Sequence, residues 1–118
     1  ELPRSMSLKQ IALTEFPSNE MQKNAMGFFK NMQSFDSKNV EKFIDEKFTK
    51  GIVERNTKER LMKMFQQLEN EFKGAELKSV AEGENYLELK VEGKMEMLSL
   101  NIDFIEGKID RFGVEAGD

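Results

Sequence analysis

The feature that most constrains the fold of this chain is a single change in the spacing of its apolar residues at Gly74. Before Gly74, apolar residues recur every three or four positions, which is the period of a helix that buries one face. After Gly74 they alternate through short segments separated by Glu-Gly turns, as β-strands do. Helices followed by an antiparallel sheet predict an α+β domain whose helices cover one side of the sheet.

The helical half contains three predicted helices. The first begins at Asn19, which caps it together with a Gln three residues on. The second begins near Asp36, and we expect it to end at Gly51 in a left-handed cap. The third begins at Asn56 with a capping box and ends at Gly74. Their apolar stripes predict that all three pack on the sheet.

The second half contains four predicted strands, over 76–82, 86–92, 95–105 and 108–115. The turns between them are short, so the strands should form consecutive hairpins, which is a meander. Residues 1–17 contain both prolines and few apolar residues, and we predict that they form an arm outside a single domain over 18–118.

Composition limits the function more than it defines it. The net charge is -4, and lysines and arginines alternate with glutamates, so the basic stripe of a nucleic-acid-binding protein is missing from the sequence. No run of about 18 apolar residues occurs, so no membrane span is expected. The 118 residues contain no cysteine and no histidine, which removes thiolate nucleophiles, imidazole bases and the usual zinc ligands. We expect no cofactor and no metal.

Four stretches of the sequence carry a family resemblance. They are Phe-Phe-Lys-Asn-Met at 28–32, Phe-Asp-Ser-Lys-Asn-Val at 35–40, Lys-Gly-Ala-Glu-Leu at 73–77 and Gly-Lys-Ile-Asp-Arg-Phe at 107–112. With these stretches the chain resembles the nuclear-transport-factor-two-like superfamily, which has the cystatin-like fold. It is most similar to secreted bacterial domains of unknown function that accompany serine hydrolases or peptidases.

The resemblance implies three helices packed on a curved four-stranded antiparallel meander, which together form a cone with one open end. It also implies an extracytoplasmic or secreted bacterial location, and a fused or associated hydrolase as a partner. Enzymes of the superfamily place a Tyr, Asp or His inside the cone. In this chain the candidates are Asp103, whose apolar neighbours would suit a general base, and Tyr86, a hydrogen-bond donor. Strand alternation equally allows both side chains to face outward.

Two sets of apolar residues are candidate binding surfaces. A ligand pocket in the cone would be lined by Phe29, Met32, Phe65, Leu100 and Phe104, although the same residues also fit ordinary core positions. An outward-facing strip would include Met95, Met97, Ile105 and Tyr86. Exposed apolar strips often mark interfaces, so we expect a homodimer through the sheet face.

The sequence therefore favours a non-catalytic accessory or interaction domain that binds a partner protein, a peptide or a small apolar ligand in its cone. A small isomerase- or cyclase-like enzyme that uses Asp103 or Tyr86 is one alternative. A stand-alone secreted inhibitor-like module is another.

Overall fold

A computed structural model describes residues 8–117 of the chain. In these residues, four α-helices pack on one face of an antiparallel sheet of five strands in the order β1-β2-β3-β4-β5. The helices are α1 (Glu20–Gln33), α2 (Ser37–Lys47), α3 (Lys50–Asn56) and α4 (Lys58–Phe72). The strands are β1 (Lys9–Ile11), β2 (Glu76–Gly83), β3 (Tyr86–Glu92), β4 (Met97–Ile105) and β5 (Lys108–Ala116). The α+β class and the meander are confirmed.

The fourth helix, α3, corrects the prediction of three helices. Gly51 was expected to end the second helix, but it lies inside α3. The extended backbone of Phe48 ends α2, and the next residue, Thr49, caps a new helix by accepting a hydrogen bond from the Ile52 amide at 3.1 Å.

The start of α4 also differs from the prediction. Asn56 is the last residue of α3, and its side-chain amide donates to the Ile52 carbonyl at 3.1 Å. The N-cap of α4 is Thr57, whose hydroxyl oxygen accepts a hydrogen bond from the Arg60 amide. Thr57 has a φ of 65°, a conformation that residues with a side chain rarely adopt.

The fifth strand comes from the predicted arm. Residues 1–7 of that arm lie outside the described residues, but Lys9–Ile11 form β1 and pair antiparallel with β2. Phe16, which follows a short 3-10 turn, is buried in the hydrophobic core. The part of the arm that the structure describes therefore contributes to both the sheet and the core.

The predicted cap of α1 is confirmed in part. The Asn19 side chain accepts a hydrogen bond from the Gln22 amide at 2.8 Å. The Gln22 side chain was expected to complete this cap by reaching back to Asn19, but it is only 3% exposed and has other partners. It accepts from the Ser18 amide at 2.8 Å and donates to a Glu82 carboxylate oxygen at 2.7 Å. This contact ties α1 to β2.

The core lies between the helices and the inner face of the sheet. Phe28 is at its centre, and its ring contacts the rings of Phe112, Phe65, Phe48 and Phe43 at centroid distances of 4.9, 5.2, 5.7 and 6.3 Å. Alternate residues of β3 and β4 complete the core, as strand periodicity predicts: Leu87, Leu89, Val91, Leu98, Leu100, Ile102 and Phe104. Within residues 8–117, no helix is both long and apolar enough to cross a bilayer.

Candidate functional site: the groove along the edge of β5

β5 is an edge strand, and its register with β4 determines which of its main-chain N–H and C=O groups point away from the sheet. The Gly117 amide donates to the Met97 carbonyl at 2.9 Å. In an antiparallel pair, hydrogen-bonding residues alternate along the strand. The main-chain groups of residues 111, 113 and 115 therefore bond to β4, whereas those of Phe112, Val114 and Ala116 point away from it.

The beginning of this free edge is covered by the chain itself. The Thr49 amide donates to the Ile109 carbonyl at 2.9 Å, and the Arg55 guanidinium donates to the Asp110 carbonyl. From residue 111 onward the edge is different: among residues 8–117, none forms a hydrogen bond with the outward main-chain groups of Phe112 or Val114. An open stretch therefore remains at 111–116.

Two adjoining pockets lie along this open stretch, between β5 and α4. The first has a volume of about 410 Å³ and the second about 470 Å³, and both are lined by Met64 and Phe112. Leu68 and Val114 extend the apolar floor in the second. These four side chains are only partly buried, because α4 does not fully cover the inner face of β5. We call this surface, with its floor of Met64, Leu68, Phe112 and Val114, the β5-edge groove.

One end of the groove is basic. A third pocket of about 550 Å³ shares Arg55 and Asp110 with the first. The basic side chains that line the first and third pockets are Lys50, Arg55, Lys108 and Arg111, and the acidic ones are Glu106 and Asp110. This end therefore carries four positive and two negative charges on a chain whose net charge is -4.

Asp110 holds the covered end in place. The register shifts between Asp103 and Phe104, so Asp110 is the extra residue of a β-bulge in β5. The Thr49 hydroxyl donates to its carboxylate at 2.7 Å, and the Arg55 guanidinium lies 3.4 Å from the same oxygen. The Thr49 hydrogen bond and the nearby Arg55 charge hold the pKa of Asp110 below its usual range. The bulge thereby fastens α3 to β5.

The residues predicted to line a cone pocket all lie in the hydrophobic core: Phe29, Met32, Phe65, Leu100 and Phe104. Each is at most 4% exposed. The four pockets described here are lined by other residues, and a ligand-binding role for the five stays a prediction.

The residues predicted to form a dimer strip are not contiguous. Met95 lies in the turn before β4 and is 93% exposed, and Met97 begins the strand beside a fourth pocket of about 200 Å³. Ile105 ends the same strand, roughly 27 Å away at about 3.4 Å per residue. The outer-face residues between Met97 and Ile105 are Ser99, Asn101 and Asp103.

The two candidate catalytic residues are neighbours on the outer face. Tyr86 and Asp103 are directly opposite each other in the β3–β4 ladder. The Tyr86 hydroxyl donates to the Asn101 side-chain oxygen at 2.8 Å, and the Asn101 amide donates to Glu115 at 3.0 Å. Neither candidate lines any of the four pockets described here. Within the described part of the chain, no group of three acidic side chains is arranged to hold a metal ion.

Sequence reasoning missed the β5-edge groove. The signal in the sequence was the last predicted strand. Its apolar residues Ile109, Phe112 and Val114 do not alternate strictly, and the last strand of a meander has a free edge.

Comparison of the chain with protein-family models, with curated proteins and with solved structures gave no match.

Proposed function

We propose that this chain is a protein-interaction module that binds an extended segment of a partner chain along the β5-edge groove. The observation that carries the proposal is the coincidence of two features at 111–116: outward main-chain groups and a partly buried apolar floor. Strand addition uses such features, since main-chain hydrogen bonds supply affinity and alternate side chains enter pockets.

The shape of the groove favours an extended peptide over a compact ligand. The six residues 111–116, along which the outer edge of β5 is uncovered, span about 20 Å at roughly 3.4 Å per residue. The outward groups of Phe112 and Val114 are two residues apart, which matches the spacing of hydrogen-bonding groups on an antiparallel partner. The two pockets that share Met64 and Phe112 lie one after the other along this part of β5.

Three finer proposals rest on the family resemblance alone. They are the cone-like, cystatin-like architecture, the extracytoplasmic location and the association with a hydrolase. The module would then act as an accessory domain, and the β5-edge groove would be the surface that contacts the partner. The sheet-face dimer and the cone ligand remain separate predictions.

Selection from a displayed library of random nine-residue peptides tests the proposed function, with Val114→Pro and Val114→Thr as matched variants. Proline removes the outward amide of Val114 without removing a bond to β4, whereas threonine keeps the amide and the branched shape. We expect selected peptides with alternating apolar residues to bind Val114→Pro at least about tenfold more weakly and Val114→Thr within about threefold of the unchanged chain. Equal binding to the proline variant, or no enriched peptide, would contradict the proposal.

A further inference from the structure

We propose that the segment received by the β5-edge groove is β5 of a second copy of this chain, paired antiparallel about a two-fold axis at Gly113. This inference rests on the proposed function, because it fills the same free edge. Pairing would join two five-stranded sheets into one continuous sheet, with the helices of both copies on the same side.

The main-chain pattern restricts the possible registers. The outward groups belong to the even-numbered residues Phe112 and Val114, so an antiparallel partner must place even residues opposite even residues. With the axis at Gly113, Phe112 of each copy lies opposite Val114 of the other. Each of these two pairs exchanges two hydrogen bonds. The edge is blocked before residue 111 by the bonds from Thr49 and Arg55, and Gly113 is the midpoint between Phe112 and Val114, the first two outward-facing residues after the blocked part.

The charges on β5 favour the register centred at Gly113 over the two adjacent registers that the main-chain pattern also permits. The axis at Gly113 places Arg111 of each copy opposite Glu115 of the other, on the outer face of the sheet, which gives two opposite-charge pairs. In the two adjacent permitted registers, Arg111 lies opposite either Gly113 or Gly117, and both charge pairs are lost. Only the central register is electrostatically self-complementary.

The centre of the interface has no side-chain bulk. Gly113 would face its own copy in a closely spaced pair of residues. No heavy atom lies within 4 Å of the position that a Cβ would occupy there, so no neighbouring side chain covers Gly113 on the outer face of the sheet. On the inner face, Phe112 and Val114 of the two copies would form one apolar strip, flanked by Met64 and Leu68 of each α4.

Sedimentation velocity on the full chain, over about 1 to 500 µM, tests this inference. We expect a concentration-dependent dimer that Val114→Pro abolishes. Arg111→Glu and Glu115→Arg each replace two attractive pairs with two repulsive ones, and each should raise the dissociation constant about tenfold. An equimolar mixture of the two variants should form a heterodimer with near-original affinity, because one copy then carries two acidic and the other two basic side chains at positions 111 and 115, so that both cross-strand pairs are attractive again.

Two further variants distinguish a loss of dimerisation from a folding defect caused by the substitutions. The double variant Arg111→Glu/Glu115→Arg also restores opposite charges and should dimerise like the unchanged chain. Lys90→Glu reverses an exposed charge on β3, two strands away from the paired edge, and should leave the dissociation constant within about twofold. A chain that stays monomeric throughout, or a dimer indifferent to Val114→Pro and to charge reversal, overturns the inference. A monomer that still binds selected peptides overturns only the second-copy partner and leaves the proposed function intact.

Discussion

Truncation of Phe28 to alanine should destabilise the domain more than any other single aromatic truncation of comparable exposure. Phe28 is 1% exposed, and four other phenylalanine rings lie within 6.3 Å of its centroid. Core Phe-to-Ala changes cost about 3–5 kcal/mol, because a cavity adds to the lost transfer free energy. We expect a loss of about 4 kcal/mol in the free energy of unfolding, a large share of the roughly 5–15 kcal/mol typical of a domain.

Urea denaturation measures this loss, and Phe35→Ala is the matched control. Phe35 is only partly buried at the edge of the same core, so its truncation should cost about 1–2 kcal/mol. The m-value should stay near that of the unchanged chain, since the surface exposed on unfolding is similar. A loss of less than about 2 kcal/mol for Phe28→Ala, or equal losses for the two variants, would refute the central position that we assign to Phe28.

Three other predictions concern local structure. Thr57→Gly should raise the free energy of unfolding by about 1 kcal/mol in urea titrations, because glycine relieves the positive φ, whereas Thr49→Gly should lower it. The lowered pKa of Asp110 means that its stabilisation is complete above its ordinary value of 3.8 and is lost as the pH falls through the folded-state pKa. Asp110→Asn should therefore flatten the acid limb of a stability-against-pH profile, and an unchanged acid limb would contradict this. Asn24→Ala should cost about 1–2 kcal/mol in thermal unfolding, since it removes a 2.7 Å hydrogen bond to the Gly107 carbonyl; a shift in Tm within error would contradict it.

The change of period at Gly74 predicted the two halves of the fold correctly because each half buries one face. Helical spacing placed Phe28 in the core, and strand alternation predicted the buried residues of β3 and β4. The left-handed turn at Gly74, with a φ of 79°, ends α4 as expected.

The elements that sequence reasoning missed depend on distant contacts. α3 begins where Thr49 caps it, and the Thr49 hydroxyl is also bonded to Asp110, sixty-one residues later in the chain. β1 has only three residues and exists through its pairing with β2. Segments as short as these carry no period of their own, so their structure cannot be derived from local spacing.

The candidate site was missed for a similar reason. Periodicity identifies which residues of β5 face inward, but it does not show how far α4 lies from that strand. The groove exists because Phe112 and Val114 face inward and yet remain partly exposed beside Met64. That gap depends on how α4 packs against the sheet rather than on any local pattern.

Amide hydrogen exchange of β5, resolved by residue in NMR spectra, tests the central claim most directly. In a dilute sample, we predict slow exchange at Arg111, Gly113 and Glu115, which bond to β4, and fast exchange at Phe112 and Val114. Protection of Phe112 and Val114 should appear as the groove is filled, either by added peptide or by raising the protein concentration. Slow exchange at these two amides in the dilute monomer, or fast exchange that persists when binding is saturated, would contradict the account.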